Sequence, residues 1–373
     1  MSKLSFILFL AFQCAFSQVT FVLNDLPENT EANAQIFISG DFESWSGGED
    51  LYKAEKVGDE YYLTLSKRTG TIQYKFTLGS WDTVETDIDG NNIKNRSYTF
   101  NKNKDTVNVS IARWNEVGLK ISTAQKNVII LSNDFEIPQL NRHRRIWIYL
   151  PPNYKVTSES YPVLYMHDGQ NLFDESTSYA GEWEVDETLN ELFKEKNLSI
   201  IVIGIDNGET NRLGEYSPWK HPTYGGGEGD AYLEFIVKNL KPYIDSHYRT
   251  LIDKDNTAMM GSSMGGLISH YAGLKYPNVF GKIGVFSPSF WLSSNSFEYA
   301  SVNSNIKNSK MYFLVGGKEG PTVVADVEKM IATMSSNGFE IDNIYKKIVP
   351  QGEHNEDFWK LEFKEAIDWL YLE

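Results

Sequence analysis

The chemically most specific feature of the chain is a Gly-x-Ser-x-Gly motif centred on Ser263. A nucleophilic serine in this pattern sits on a sharp strand-to-helix turn, where bulky neighbours two positions away would not fit. The apolar run 257–260 before the motif predicts a buried strand, and residues 266–275 after it predict a helix. The spacing therefore predicts that Ser263 is a nucleophile that attacks a carbonyl carbon.

The histidines identify a partner for this serine. A serine nucleophile needs a general base, and the base needs an acid that holds its tautomer. In α/β hydrolases these groups follow in the order serine, acid, histidine, and only His270 and His354 come after Ser263. His270 falls two turns along the predicted helix and is interpreted as a residue of the helix surface. His354 lies between the last predicted strand and the last predicted helix, which makes it the predicted base.

Glu319 is the preferred acid. It follows the predicted strand 311–315 and so lies at the carboxyl edge of the predicted sheet, where the loops of α/β folds carry functional residues. Asp326, in a predicted surface helix, is the second candidate. A solvated loop carboxylate is the alternative interpretation of Glu319.

Two backbone amides are expected to stabilise the negative charge that develops on the carbonyl oxygen. One is predicted to be the amide of Met264, directly after the nucleophile. The second is predicted to be the amide of Gln170, in the loop 167–173 after the third strand. In this loop, His167 is interpreted as a buried structural residue and Asp168 as a residue that orders the loop. No matching cluster of ligands accompanies them, so neither a metal nor a cofactor is predicted.

These residues require a scaffold that brings the ends of several strands together. From about residue 128 short apolar runs alternate with amphipathic stretches, which predicts an α/β domain over 128–373 with a mostly parallel sheet and helices on both faces. Residues 18–113 carry short alternating runs between turn-forming clusters, which is typical of a small antiparallel β-sandwich. Residues 114–127 are predicted to link the two domains. The predicted strands of the β-sandwich are 19–23, 35–39, 60–65, 72–77 and 107–111.

The N-terminus has the features of a secretory signal peptide. Residues 1–17 combine a charged start, an apolar stretch too short to span a bilayer and a small-x-small end. Cys14 is the only cysteine and lies in this segment, so the mature chain would have neither a disulfide nor a thiolate site. We therefore expect a secreted or periplasmic protein without a membrane span. The formal net charge of −15 argues against a nucleic-acid partner.

Five motifs in the predicted α/β domain resemble the Putative esterase family (esterase D-like), which includes feruloyl and enterochelin esterases, and the likeness runs over roughly residues 120–373. The motifs are 145–154, 167–173, 212–217, 261–266 and 287–291. The resemblance implies an α/β-hydrolase fold and cleavage of carboxylic esters, and it supports Glu319 as the acid. It also implies a loop over the pocket that carries Arg212 and Tyr216, and Trp183 is a further candidate for substrate contact. A structural salt bridge of Arg212 and Glu215 is the open alternative.

The N-terminal part resembles a starch-binding-type carbohydrate-binding module. The matching stretches are 38–45, 74–85 and 95–99. In this pattern Trp45 is usually a core residue, whereas Trp81 either stacks on a sugar or packs against the sandwich. Trp81 is therefore the candidate sugar-binding residue, and a role of the module as a spacer is the alternative.

Together these observations predict a secreted serine esterase that uses Ser263, His354 and Glu319 and forms an acyl-enzyme. Its ester substrate is expected to be an acetyl or feruloyl ester of a carbohydrate such as a polysaccharide. Two alternatives stay open: a siderophore trilactone esterase, and a glycan-binding protein whose hydrolase domain is an inactive scaffold. The sequence indicates no oligomeric state.

Overall fold

The computed structural model of the chain describes residues 18–372 except for 29, 67, 69, 91, 101–103, 116–121 and 180. The predicted signal peptide (1–17), with Cys14, lies outside the described residues, as does the middle of the predicted linker. No helix in the described part of the chain is long and apolar enough to cross a membrane.

Short strands form the N-terminal β domain: β1 (Gln18–Asp25), β2 (Phe37–Gly40), β3 (Glu55–Val57), β4 (Glu60–Leu65), β5 (Thr71–Thr77), β6 (Glu85–Thr86), β7 (Arg96–Thr99), β8 (Lys104–Ser110) and β9 (Arg113–Trp114). One sheet has the order β3-β4-β1-β8, another has the order β2-β5-β7, and β6 pairs with β9. Buried side chains alternate along β4, as expected for strands with one face on a core. Between the sheets, Phe21 packs against Tyr74 and Phe76 with ring centroids 4.9 and 6.0 Å away.

The prediction that this domain is purely antiparallel is wrong for one pair of strands. β1 and β8 run parallel, with Phe21 opposite Val107. Parallel neighbours need a long crossover connection, and the strands between β1 and β8 in the sequence provide it. The strands β3, β6, β7 and β9 were not predicted, because runs of two to four residues carry little periodicity.

The α/β domain contains the strands β10 (Val128–Ile137), β11 (Arg142–Tyr149), β12 (Val163–His167), β13 (Ile201–Ile205), β14 (Lys220–His221), β15 (Gly225–Gly226), β16 (Thr257–Ser262), β17 (Lys282–Phe286), β18 (Lys310–Gly316) and β19 (Ile344–Val349). All except the small hairpin β14–β15 form one sheet of order β10-β11-β13-β12-β16-β17-β18-β19. Only β11 runs against its neighbours in this sheet. The prediction of a mostly parallel sheet is confirmed.

Helices cover both faces of the main sheet: α1 (Val185–Lys196), α2 (Arg212–Tyr216), α3 (Gly229–Phe235), α4 (Lys241–His247), α5 (Met264–Lys275), α6 (Asn295–Asn303), α7 (Val323–Ser336) and α8 (Glu356–Leu372). Strand β12 illustrates the reason. Val163 and Tyr165 belong to the core on one face, Leu164 and Met166 to the core on the other, and all are fully buried. The core with Leu164 includes α1 and α8, and the opposite core includes α3, α4, α5 and α7. A strand buried on both faces is expected in a parallel sheet.

The β domain packs over the edge of the main sheet at which the parallel strands end. Arg212 Nη1 in α2 donates a hydrogen bond to the carbonyl oxygen of Ser44 at 3.2 Å. The rings of Trp81 and Tyr179 stack with their centroids 5.9 Å apart. These contacts bring residues from distant parts of the sequence to one edge of the sheet.

Candidate active site

Ser263 lies at a sharp turn between β16 and α5. Its backbone has φ 58° and ψ −119°, a conformation that costs a non-glycine residue about 1–3 kcal/mol. Gly261 makes room for this turn, because a Cβ atom there would lie 2.8 Å from the carbonyl carbon of Gly265 and 2.9 Å from the ring of His167. The glycine spacing of the motif thus follows from close backbone packing at this turn.

His354 and Glu319 lie beside this turn and are hydrogen-bonded to each other. His354 Nδ1 is 3.0 Å from Glu319 Oε2, and the Glu319 side chain is fully buried. Asp326, the second candidate acid, lies on α7 and makes no hydrogen bond to His354 in the described part of the chain. The partner of His354 is therefore Glu319.

Other groups fix the orientation of Glu319. Its Oε1 accepts hydrogen bonds from Ser287 Oγ and from the amide of Gly316, both at 2.6 Å. Ser287 Oγ in turn accepts from Trp359 Nε1 at 2.9 Å. The Trp359 ring also meets the His354 ring edge-on, with centroids 5.1 Å apart. The histidine is thus held from two sides, by a carboxylate and by an aromatic ring.

The surroundings of His354 favour its protonated form. Burial lowers the pKa of His354, but the hydrogen bond and charge of Glu319, together with the charge of Asp41, outweigh burial and raise it above its ordinary value. Asp41 belongs to the β domain, and its Oδ2 accepts a hydrogen bond from the amide of Gln73 at 2.9 Å. Burial raises the pKa of Asp41 to about 6. Asp41 of the β domain therefore contributes to the raised pKa of His354 in the α/β domain.

Ser263 shares a cavity with His354 but is not hydrogen-bonded to it here. In the described part of the chain, the hydroxyl of Ser263 lies within hydrogen-bond distance of one other side chain, Ser289 Oγ, at 3.3 Å. Catalytic hydrogen bonds are often long or misaligned without substrate. Both side chains line the same two cavities, so an ester bound there would lie next to both.

The two candidate oxyanion amides lie at the starts of helical segments. Met264 is the first residue of α5, and helix N-termini carry free N–H groups and partial positive charge. Gln170 lies in a 3-10 turn, Gly169–Asn171, whose first amides likewise have no acceptor within the turn. A Cβ atom at Gly169 would lie 2.8 Å from the backbone of Gly204, so glycine lets this turn approach β13. Gln170 Oε1 accepts from the amide of Asn207 at 3.1 Å and fixes the turn there.

Asp168 and Arg212 form a buried ion pair next to these amides. Asp168 Oδ1 and Oδ2 accept from Arg212 Nε and Nη2 at 2.7 and 2.9 Å, and Asn207 Nδ2 donates to Oδ1 at 2.8 Å. Burial alone would raise the pKa of Asp168, but the adjacent Arg212 guanidinium and the hydrogen bonds lower it. Asp168 thus orders the loop 167–173, as the sequence indicated, and its partner is Arg212.

Two of the predicted substrate contacts need correction. Tyr216 is fully buried, and its hydroxyl accepts a hydrogen bond from the Asp168 amide at 3.2 Å. Trp183 is buried in the core, where it stacks on Phe286 with centroids 5.5 Å apart. Both side chains are packed in the interior next to the site. Large aromatic residues in loops often fill a core in this way.

The remaining predictions on these residues have mixed outcomes. His270 is buried and its Nε2 lies 3.3 Å from Met334 Sδ, so its assignment to the helix surface is wrong, because α7 covers that part of α5. His167 is buried, with its Nδ1 3.0 Å from Tyr232 Oη, and burial lowers its pKa to about 3.

Glu215 forms its salt bridge with Arg144 rather than with Arg212, and Glu215 Oε1 lies 2.6 Å from Arg144 Nη2. The salt-bridge alternative thus holds for both loop residues, but with other partners.

Ser263 and His354 line two neighbouring cavities. One, which we call the enclosed pocket, is narrow and has a volume of about 40 Å³. Its walls combine aromatic rings with polar groups: Trp45, Trp81, Tyr179, Trp359, Asn95, Asn171, Asn207, Asp168, Arg212 and Glu356. The other, which we call the open groove, is larger and has a volume of about 700 Å³. Its lining includes Asp41, Phe42, Arg68, Tyr224, Trp291 and Lys318.

Trp81 lies in the wall of the enclosed pocket and not on an exposed face. Only 4% of its surface is accessible, its Nε1 donates to the carbonyl oxygen of Trp45 at 2.9 Å, and Tyr179 stacks on its ring. An open sugar platform at this residue is therefore not present in the structure.

Several residues at the site were missed by sequence reasoning. Asp41, Trp45 and Asn95 come from the β domain, and no spacing rule connects them with Ser263. Ser287 and Trp359 support the acid and the histidine. The motif 287–291 was a usable signal for Ser287, because it follows strand β17 at the same edge of the sheet as the nucleophile.

Comparison with known proteins agrees with this geometry. The family model described as Putative esterase matches residues 137–370. The chain belongs to this family. It is therefore a carboxylic-ester hydrolase with an α/β-hydrolase domain, and the alternative of an inactive glycan-binding scaffold is not favoured.

Individual relatives match different parts of this esterase. The uncharacterized protein YbbA of Bacillus subtilis (strain 168) is 30% identical over 244 residues, which cover 61% of this chain and 93% of YbbA. An endo-1,4-beta-xylanase/feruloyl esterase of Xylanibacter ruminicola is 25% identical over 203 residues, 53% of this chain and 25% of that protein. The N-terminal region is similar to an alpha-amylase of Niallia circulans, with 37% identity over 100 residues, 26% of this chain and 8% of the amylase. This similarity agrees with a carbohydrate-binding type of module.

A solved structure of similar fold covers both domains of the esterase. The enterobactin esterase from Shigella flexneri superposes with a TM-score of 0.56 over 95% of this chain and 93% of its own, at 17% identity. At this identity the similarity establishes the fold alone. A β domain joined to the hydrolase domain is thus an arrangement that the two proteins share.

Proposed function

We propose that this chain is a serine esterase that releases aromatic acyl groups of the feruloyl type from polysaccharide, through an acyl-enzyme on Ser263. The observation that carries the proposal is the position of Ser263 between the enclosed pocket and the open groove. The aromatic lining of the first suits an aromatic acyl group, and the second has room for the sugar chain.

The proposed reaction uses His354 and Glu319 with Ser263. Ser263 Oγ attacks the ester carbonyl carbon while His354 Nε2 takes the hydroxyl proton, and Glu319 keeps the Nδ1–H of His354 oriented through the 3.0 Å contact. The amides of Met264 and Gln170 stabilise the oxyanion. His354 then protonates the leaving sugar oxygen, and the Ser263 ester remains. Water, deprotonated by His354, attacks this ester and releases the free acid and the serine.

The lining of the enclosed pocket favours an aromatic acyl group over an acetyl group. The ring centroids of Trp45 and Trp81 lie 5.8 Å apart, and the Tyr179 ring stacks on Trp81. Aromatic pairs of this kind add about 0.5–1.5 kcal/mol beyond the area that they bury. An acetyl group has no ring to stack on these side chains, whereas a phenolic ring does. The free space of the pocket is about 40 Å³, so its side chains must move apart when an aromatic acyl group binds. Asn95 and Asn207 supply polar groups for phenol substituents.

The open groove has the features of a sugar site. Trp291 is 43% exposed, its ring meets that of Tyr224 edge-on with centroids 6.0 Å apart, and Arg68 Nη1 donates a hydrogen bond to Tyr224 Oη at 3.3 Å. Exposed aromatic rings next to polar side chains are suited to the apolar faces and hydroxyls of sugars. Because Arg68 comes from the β domain, the module contributes to this groove directly.

A siderophore trilactone is the second candidate substrate. The enterobactin esterase shares both domains with this chain, and a trilactone with catechol arms also combines ester and aromatic groups. Its three arms would have to occupy the enclosed pocket and the open groove together.

We also propose that the enzyme acts outside the cytoplasm, because residues 1–17 have the features of a signal peptide. Mass spectrometry of the protein from the medium or periplasm should give an N-terminus at Gln18. A mature protein that starts at Met1 would contradict this proposal.

The test compares Ser263→Ala with the wild type on methyl ferulate, feruloylated xylo-oligosaccharide, p-nitrophenyl acetate and a catecholate trilactone. Loss of the nucleophile should lower kcat by at least about 1000-fold on every substrate that is cleaved. The wild type should prefer the feruloyl esters in kcat/KM. Ser269→Ala is the matched control, since Ser269 is buried in the same helix away from both cavities. Undiminished hydrolysis by Ser263→Ala would overturn the mechanism, and a preference for the trilactone would overturn the substrate.

A further inference from the structure

A cluster of acidic side chains lies at the start of α1, outside both cavities. One carboxylate oxygen of each of Glu182, Asp186 and Glu187 lies within 4.8 Å of the others. Asp186 is fully buried and Glu182 is 7% exposed, while Glu187 is partly buried. These side chains are not used in the proposed reaction.

The segment 122–125 holds one oxygen of each carboxylate in place. Glu182 Oε2 accepts from Thr123 Oγ1 at 2.8 Å, and Asp186 Oδ2 accepts from the amide of Gln125 at 2.8 Å. Glu187 Oε1 accepts from Gln125 Nε2 at 2.9 Å. The site is therefore built from two separate parts of the chain, with the orientation of each carboxylate fixed.

The second oxygen of each carboxylate has no such partner. Glu182 Oε1, Asp186 Oδ1 and Glu187 Oε2 are buried and accept no hydrogen bond from the described residues. A buried carboxylate oxygen without a partner is costly, and adjacent like charges add to that cost. Three carboxylates this close together, each with an oxygen of this kind, require either protons or a cation among them.

In the described part of the chain, no Lys or Arg side chain forms an ion pair with the three carboxylates. Lys360 Nζ, at the start of α8, lies 3.1 Å from Glu184 Oε1. The geometry of the cluster therefore leaves room for a bound cation.

We propose that Glu182, Asp186 and Glu187 bind a calcium ion. All three donors are oxygen atoms, which calcium prefers, whereas zinc sites use nitrogen or sulfur donors. Two oxygens bound to one calcium ion lie at most roughly 4.8 Å apart at a Ca–O distance of about 2.4 Å, and the three oxygens here fall within that limit. Glu187 also lines a surface depression together with Gln125 and Asn190, so the ion has a path from solvent.

A calcium ion at this position would act on the loop that carries the candidate oxyanion amide. The amide of Trp183, next to Glu182, donates to the carbonyl oxygen of Asn171 at 2.9 Å. Asp174, in the same loop, accepts from Ser122 Oγ at 2.6 Å. The ion would therefore join the segment 122–125, the loop after β12 and the start of α1 into one rigid unit.

The test measures calcium binding and thermal stability of the full chain after removal of metals with a chelator. One calcium ion per chain should bind in isothermal titration calorimetry, and the Tm should rise by a few degrees at saturating calcium. Asp186→Asn should lose both effects. Glu195→Gln should keep them, since Glu195 lies exposed on the same helix. Terbium luminescence excited through the adjacent Trp183 gives a second readout of wild-type binding that does not depend on a variant that folds.

Two results would overturn the proposal. In the first, calcium changes neither the Tm of the wild type nor its heat of titration, and Asp186→Asn is as thermostable as the wild type at pH 7. The carboxylates would then share protons instead of binding a cation. The second is an equal response to magnesium at the same concentration, which would overturn the choice of calcium.

Discussion

The two cavities beside Ser263 differ in how they are built. The enclosed pocket consists of aromatic rings around a buried ion pair, and its volume is about 40 Å³. The open groove is about 700 Å³ and carries the charged side chains Asp41, Arg68 and Lys318. Under the proposed mechanism, the narrow pocket would select the acyl group, whereas the larger groove would admit different alcohols.

The β domain contributes to both cavities. Trp45 and Trp81 line the pocket, and Asp41 and Arg68 line the groove. A carbohydrate-binding type of module is commonly regarded as an attachment that holds the enzyme near its substrate. Here its side chains lie next to the candidate nucleophile, so changes in the β domain should change the reaction itself.

The largest effect is expected when the ion pair beneath the pocket is broken. Asp168→Asn removes the charge that compensates the buried Arg212 guanidinium, which lies 2.7 Å away. Loss of one partner of a buried pair costs about 3–5 kcal/mol, and the free energy of unfolding in urea should fall by that amount. Asp168→Asn with Arg212→Met should regain about 1–3 kcal/mol of it. If the effects of the two substitutions on the free energy of unfolding were strictly additive, Asp168 and Arg212 would not be energetically coupled.

A change of intermediate size separates the pocket from the groove. Trp45→Ala removes a wall of the pocket and should lower kcat/KM for methyl ferulate by ~10-fold, which corresponds to about 1.4 kcal/mol. Hydrolysis of p-nitrophenyl acetate should change far less, because an acetyl group does not reach that wall. Assays of both esters on one enzyme preparation give the ratio of the two kcat/KM values. This ratio does not depend on how much of the variant is folded.

Trp291→Ala is the matched control for this ratio. Its ring lies in the groove and is 43% exposed, so its loss should leave methyl ferulate hydrolysis unchanged and slow only the cleavage of feruloylated oligosaccharide. An equal loss on both substrates in both variants would mean that the cavities do not divide the substrate as proposed.

The parts of this site that the sequence predicted are local in the chain. The turn at Ser263 depends on glycines within two positions. Chain order left His270 and His354, and only His354 lies between the last predicted strand and the last predicted helix. Glu319 follows directly after β18, so a local argument also found it. The main sheet was predictable for a similar reason, because each parallel strand is a short, continuous apolar run.

The failures concern contacts between distant parts of the chain. Trp183 and Tyr216 have the aromatic character of substrate-binding residues, and only packing determines that they are buried. Likewise, no periodicity predicts that β1 pairs in parallel with β8 or that Asp41 of the β domain comes close to His354. These features depend on how the two domains pack, which residue patterns within either domain do not encode.

The smallest effect is expected from the charge on the groove side. Asp41 raises the pKa of His354, and its own pKa is raised by burial to about 6, so it is charged above that pH. Asp41→Asn removes the charge and should lower the pKa of His354. Because the base must be neutral to accept the serine proton, the acidic limb of kcat/KM for methyl ferulate should shift to lower pH by roughly a few tenths of a unit. Below pH 6 the two enzymes should converge, since wild-type Asp41 is then protonated. A limb that stays in place or moves to higher pH would show that the β domain does not tune the histidine.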